Sequence, residues 1–141
     1  MPVYYHGTSH AFATAMMGTP NHGTIDVIYR GGGEFGRGFY TQASVSNAYR
    51  RGYSIYGNSG AVLVVDIDDG LYHALQIRTL TLNAAQMLNA RLKGNQRSTY
   101  TTADDVMAGP LVSQPKIMQQ KFQSVNAQNL LNGQNTQRTV I

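Results

Sequence analysis

Apolar positions cluster first at Val3-Tyr4-Tyr5, and residues 2–8 read as an opening strand. Phe12 to Met17, with Ala11, Ala13 and Ala15, read as a short helix that Gly18 and Pro20 stop. A polar turn region and a glycine-rich segment follow, with a short strand expected between them at Ile25 to Tyr29. Ser44 is placed to cap a helix running to about Arg51 and ended by Gly52. The β-branched run from Ala61 to Ile67, bounded by Asn58-Ser59-Gly60 and Asp68-Asp69-Gly70, reads as a central buried strand. Leu82, Ala85, Leu88 and Leu92 recur at helical spacing and give that helix a core-facing side, with Gly94 as its C′ residue. Asp105 to Val112 reads as a strand broken at Gly109-Pro110, Ile117 to Val125 as another strand, and Ala127 to Leu131 as a helical turn. The polar tail after Gly133 is either disordered or an edge strand.

With 141 residues the chain is expected to form a single domain, 1–141, large enough to bury a core unaided. No stretch is long and apolar enough to span a bilayer, and no basic segment leads into an apolar one, so a soluble chain without an export signal is expected. It has no cysteine, which excludes a disulfide framework and thiolate metal sites. The histidines at 6, 10, 22 and 73 lack metal-ligand spacing, and no metal is expected. A net charge of +4, spread along the chain, attracts phosphates of a dinucleotide or of RNA without choosing between them.

The candidate chemistry lies in His6-Gly7-Thr8 and in Gly36-Arg37-Gly38-Phe39-Tyr40-Thr41. Glycine at position 7 lets a ligand approach the backbone, whose N–H and C=O can pair with a primary carboxamide in both directions. In an extended segment Phe39 and Tyr40 point to opposite faces. One ring then anchors in the core, and the other offers its face to a cationic pyridinium. A second His-Gly-Thr, at 22–24, follows Thr19-Pro20-Asn21 and reads as a plain turn.

Tyr5-His6-Gly7-Thr8, Phe35-Gly36-Arg37-Gly38-Phe39-Tyr40-Thr41, a following helix with Ala48, and Asp105-Val106 leading into Gly109-Pro110 together resemble the ADP-ribosyltransferase superfamily. The likeness is to its diphtheria-toxin and poly(ADP-ribose) polymerase branch, especially small bacterial toxin-type members. It implies an α+β fold: a split antiparallel β core with short flanking helices, clasping NAD⁺ in an extended cleft. It also implies that His6 bonds the adenosine ribose, Gly7 holds the nicotinamide carboxamide, Thr8 supports that turn and Tyr40 stacks on the nicotinamide. Gly38 belongs to the same binding turn, and a second aromatic, Tyr49 or Tyr53, covers the other face of the ring. The family often places a glutamate on the nicotinamide-side ribose, but the only glutamate in this chain is Glu34, which precedes Tyr40. Gln119 best matches that place; Gln123, Asp104 and Asp105 rank below it.

The resemblance implies a mono-ADP-ribosyltransferase that uses NAD as co-substrate and modifies a protein side chain, RNA or DNA. A toxin or effector role in a cytoplasm after delivery, with an immunity or antitoxin partner, goes with it. Two other readings stand beside it: an NAD glycohydrolase using the same pocket, and a non-catalytic module that binds ADP-ribose or a partner.

Overall fold

The structure, a computed structural model, describes residues 3–18, 25–27, 32–92 and 96–141. In chain order the described strands are β1 (Val3–Ser9), β2 (Gly32–Gly33), β3 (Gly36–Arg37), β4 (Phe39–Gln42), β5 (Gly60–Ile67), β6 (Ile77–Thr79), β7 (Val106–Pro110), β8 (Met118–Phe122) and β9 (Thr136–Val140). The helices are α1 (His10–Met17), α2 (Val45–Tyr56), α3 (Asp69–His73), α4 (Leu82–Arg91), α5 (Gln96–Thr99) and α6 (Val125–Asn132). Five of them begin at a side chain that accepts a backbone N–H of the first turn: Ser9, Ser44, Asp68, Thr81 and Ser124. Losing such a cap costs about 1 kcal/mol, so local sequence marks where these helices start.

Seven strands form one sheet in the order β6-β7-β8-β4-β1-β5-β9, and β2 pairs with β3 in a separate ribbon. The architecture is α+β, but the large sheet is mixed, not wholly antiparallel, because β6 pairs with β7 in parallel. The stretch between these two strands, which includes α4 and α5, is the long crossover that a parallel pair requires. β1 matches β5 over seven residue pairs, from Val3↔Asp66 to Ser9↔Gly60, yet meets β4 at Tyr5↔Gln42 alone. The two strands at the middle of the sheet therefore diverge.

Ala61, Leu63, Val65 and Ile67 of β5 alternate onto one core with Phe39, Val106, Phe122 and Leu131. Phe35, Ala85, Leu88, Leu92 and Met107 form a second core beneath α4. The polar tail is resolved as the edge strand β9, paired with β5 from Ile67↔Thr136 to Leu63↔Val140.

Five expectations need correction or fall outside the described residues. Gly52 does not end α2; it is buried inside the helix, where a Cβ would stand 3.0 Å from the carbonyls of Thr8 and Ala61. The helix runs on to Tyr56 and stops at Gly57, whose φ of 59° suits glycine. Of the strand expected at Ile25 to Tyr29, residues 28 and 29 lie outside the described residues; Ile25 and Val27 are buried but not in a strand, because side-chain amides of α6 take the ladder's place. Ile25 N donates to Asn132 Oδ1 at 2.8 Å, Asn132 Nδ2 returns a bond to Ile25 O, and Val27 N donates to Gln128 Oε1. β7 is continuous through Gly109-Pro110, paired with Gln119 and Met118. Beyond Ala108 it pairs with β8 alone, and its last residue tolerates the missing proline N–H. Gly94 and the second His-Gly-Thr lie outside the described residues.

Candidate functional site

A cleft of about 760 Å³ opens where β1 and β4 part, within the size range of small-molecule sites. Its lining includes Tyr5, His6, Gly7 and Thr8 from β1, Tyr40 and Gln42 from β4, Gln119 from β8, and the turn residues Glu34 and Gly38. α2 supplies one wall, and residues 111–117 supply part of the other.

Strand geometry sets these positions. Tyr40 pairs with Lys121 and Gln42 with Gln119, so all four side chains share one face of the β4–β8 ribbon. Phe39, Thr41, Gln120 and Phe122 occupy the opposite face. Phe39 is fully buried, whereas Tyr40 is half-buried and lines the cleft, as alternation requires.

Tyr40 is pinned at its tip. Its hydroxyl accepts from Phe35 N at 3.0 Å and donates to Gly36 O at 2.5 Å. Gly36 permits this turn with a φ of 95°. Burial pushes the phenol above its ordinary range, so it stays neutral and remains a donor.

His6 bridges the gap between the diverging strands. Its Nδ1 lies 2.5 Å from the carbonyl oxygen of Tyr40, and its ring stacks on Phe39 with centroids 4.2 Å apart. A carbonyl only accepts, so Nδ1 carries a proton and donates it to Tyr40 O.

Gly7 has two duties. A Cβ there would lie 2.0 Å from the Ala48 carbonyl oxygen, so α2 can rest on β1 only over glycine. The same residue pairs with Val62, whose N–H and C=O both bond Ile141 on the far side of β5. Antiparallel alternation then turns the N–H and C=O of Gly7 away from β5, toward the opening between β1 and β4.

Gln119 is 4% exposed, and among the described residues its Nε2 has no hydrogen-bond partner; Gln42 Oε1, on the residue directly across the ribbon, has none either. One unpaired donor and one unpaired acceptor thus sit side by side on the cleft wall. Buried amide atoms without partners are uncommon, and a small shift of either side chain would offer these two to a polar group in the cleft.

The remaining sequence candidates lie elsewhere. Tyr49 and Tyr53 are not among the lining residues: they stand on the outer face of α2, 58% and 56% exposed. The helix instead turns Asn47, Arg50, Arg51 and Ser54 to the cleft. Gln123 Nε2 donates to Thr102 Oγ1 and to Asp104 O, which ties it to the loop before β7. Asp104 holds Arg78 at 2.6 Å, and this guanidinium keeps its carboxyl below the usual range. Asp105 accepts from Gln76 N and Ser124 Oγ. Glu34 does line the cleft, but its carboxylate accepts from Val112 N, Ser113 N and Ser113 Oγ.

Sequence reasoning missed Gln42, Arg50 and Arg51. Gln42 was legible as the residue two beyond Tyr40 on a strand. The arginines lay inside the expected helix, but the rotation of α2 against β1, which turns them to the cleft, is set by contacts outside the helix.

Beneath the site, Lys121 is fully buried and donates to Phe35 O at 2.6 Å. Burial, reinforced by the Arg37 cation, pushes its ammonium down to about 7. In the unfolded chain the amine titrates near its ordinary value of about 10.4. The unfolded state therefore binds more protons between these values, and stability rises with pH across that window. Lys121→Met is expected to flatten the rise, as read from urea midpoints between pH 7 and pH 10; an unchanged slope would remove Lys121 as its source.

No protein-family model matches the chain, and no curated protein matches it in sequence.

Proposed function

We propose that the cleft binds NAD⁺ and that the chain is a mono-ADP-ribosyltransferase, built on a split β core of the ADP-ribosyltransferase type. The supporting observation is convergence: His6, Gly7, Tyr40 and Gln119, drawn from three strands, line one cleft at the divergence of β1 and β4. The orientation of the Gly7 peptide groups suits a primary carboxamide, and the Tyr40 ring suits the pyridinium face.

In the reaction the bond between C1′ and the pyridinium nitrogen breaks, and its electron pair leaves with neutral nicotinamide. A lone pair of the acceptor then bonds C1′, and the acceptor's proton passes to solvent. The protein's part is orientation and shielding of positive charge at C1′. Gln119 holds a ribose hydroxyl there; being a neutral amide, it stabilises the charge less than a carboxylate and is no general base. His6 bonds the other ribose.

Gln119→Ala is expected to lower turnover about tenfold, the value of one hydrogen bond at the reacting centre, while leaving NAD⁺ affinity nearly unchanged. Nicotinamide release and calorimetric binding measure the two; full turnover would move this role to another residue. Transfer itself is tested with biotinylated NAD⁺ in lysate, splitting the labelled material by protease and by nuclease. The neutral amide also favours a second reading, in which the pocket binds a dinucleotide without cleaving it. NAD⁺ that stays intact with and without lysate, yet binds, would establish that reading.

A further inference from the structure

The two tyrosines that stand away from the cleft form part of a larger surface. On α2, Val45, Tyr49, Tyr53 and Tyr56 follow one another at helical spacing and are 42%, 58%, 56% and 37% exposed. Phe12 of α1, 47% exposed, extends the strip through an edge contact with Tyr56, ring centroids 6.2 Å apart. Contiguous exposed aromatic surface of this kind marks an interaction site.

Charge selects the partner. Neither α1 nor α2 contains an acidic residue. Arg50, next to Tyr49, and Arg51, two positions from both Tyr49 and Tyr53, make no ion pair among the described residues. They face the cleft, and Tyr56 belongs to both the strip and the cleft lining. Aromatic faces beside unpaired guanidiniums suit a polyanion with flat, stackable groups. Tyr49 and Tyr53 are separated by about 6 Å along the helix axis, from a rise of 1.5 Å per residue. Duplex bases are spaced at about 3.4 Å, so the strip fits bases splayed apart and not a stacked helix.

We propose that the outer face of α2 is a docking strip for single-stranded nucleic acid, which leads the strand past Tyr56 to the mouth of the cleft. As the identity of the acceptor this rests on the transferase reading; as a binding site it does not need NAD⁺.

The test therefore omits NAD⁺. Fluorescence anisotropy is measured with a labelled mixed-sequence single strand of about a dozen nucleotides and with its duplex, for the full chain and two double variants. The single strand is expected to bind at least several-fold more tightly than the duplex. Tyr49→Ala with Tyr53→Ala should weaken it about tenfold or more without lowering the melting temperature, and the two Tyr→Phe changes should restore it. Equal affinity for both probes, or undiminished binding by the alanine variant, would show electrostatic adsorption alone and overturn the proposal. No binding at low salt would overturn it as well, leaving the strip to a protein partner. Failure here leaves nicotinamide release untouched, and failure of NAD⁺ cleavage leaves oligonucleotide binding untouched.

Discussion

Tyr40→Ala is expected to reduce nicotinamide release from NAD⁺ by about a hundredfold or more. Two losses combine in that change. On the proposed reading the pyridinium loses the ring face it stacks on, and the turn at Phe35-Gly36 loses the hydroxyl that bonds both residues. A displacement of about 1 Å at such a turn is enough to cost two orders of magnitude. Tyr40→Phe separates the effects. It keeps the ring but leaves the buried Phe35 N–H unsatisfied, which should cost about 1–3 kcal/mol of stability with a smaller loss of turnover. Chromatographic assay of nicotinamide, with melting curves for both variants, checks this. If the alanine variant turned over normally, the stacking role would be wrong; if the phenylalanine variant melted like the parent, the pinned turn would be.

Gly7→Ala is expected to lower stability by about 1–3 kcal/mol, a melting shift of several degrees for a chain of this size. The added methyl lies 2.0 Å from the Ala48 carbonyl oxygen, which belongs to helix backbone and cannot rotate aside. α2 must lift from β1, carrying Arg50 and Arg51 out of the cleft wall, so NAD⁺ affinity should fall as well. Gly52→Ala is expected to cost less, since its closest contacts, at 3.0 Å, need only a small shift. Thermal denaturation orders the three proteins. A Gly7→Ala variant as stable as the parent would show that the close seat of α2 on β1 is not needed.

These two residues also mark how far sequence reasoning reached. Tyr40 was legible because alternation in an extended segment must send Phe39 and Tyr40 to opposite faces, whatever lies around them. Gly7 was legible as a place without a side chain, but its first duty, seating α2, was not, since Ala48 is distant in sequence. Gly52 shows the same limit from the other side. Read locally, a glycine near the end of a helical pattern is a stop; in the fold it is a contact, and the helix continues beneath it. The strand expected at Ile25 to Tyr29 fails over its described residues, Ile25 to Val27, for a related reason. Ile25 and Val27 are buried, but the partners of their backbone N–H groups are the amides of Asn132 and Gln128, about a hundred positions away.

Gln119 was placed by resemblance and Gln42 was not placed at all. Their meaning comes from the register of β4 against β8, which sets one unpaired amide atom beside another. Tyr49 and Tyr53 were read as pocket residues because they follow Tyr40 at a suitable distance along the chain. The rotation of α2, set by the small residues it rests on, turns them outward.

Local forces alone specified the helix starts at Ser9, Ser44, Thr81 and Ser124, the buried run of β5 and the opposed rings of β4, because caps and two-residue alternation act over a few bonds. Which side chains meet in the cleft, how α2 is turned, and where β1 leaves β4 depended on contacts between distant segments, whose packing no short window of residues contains.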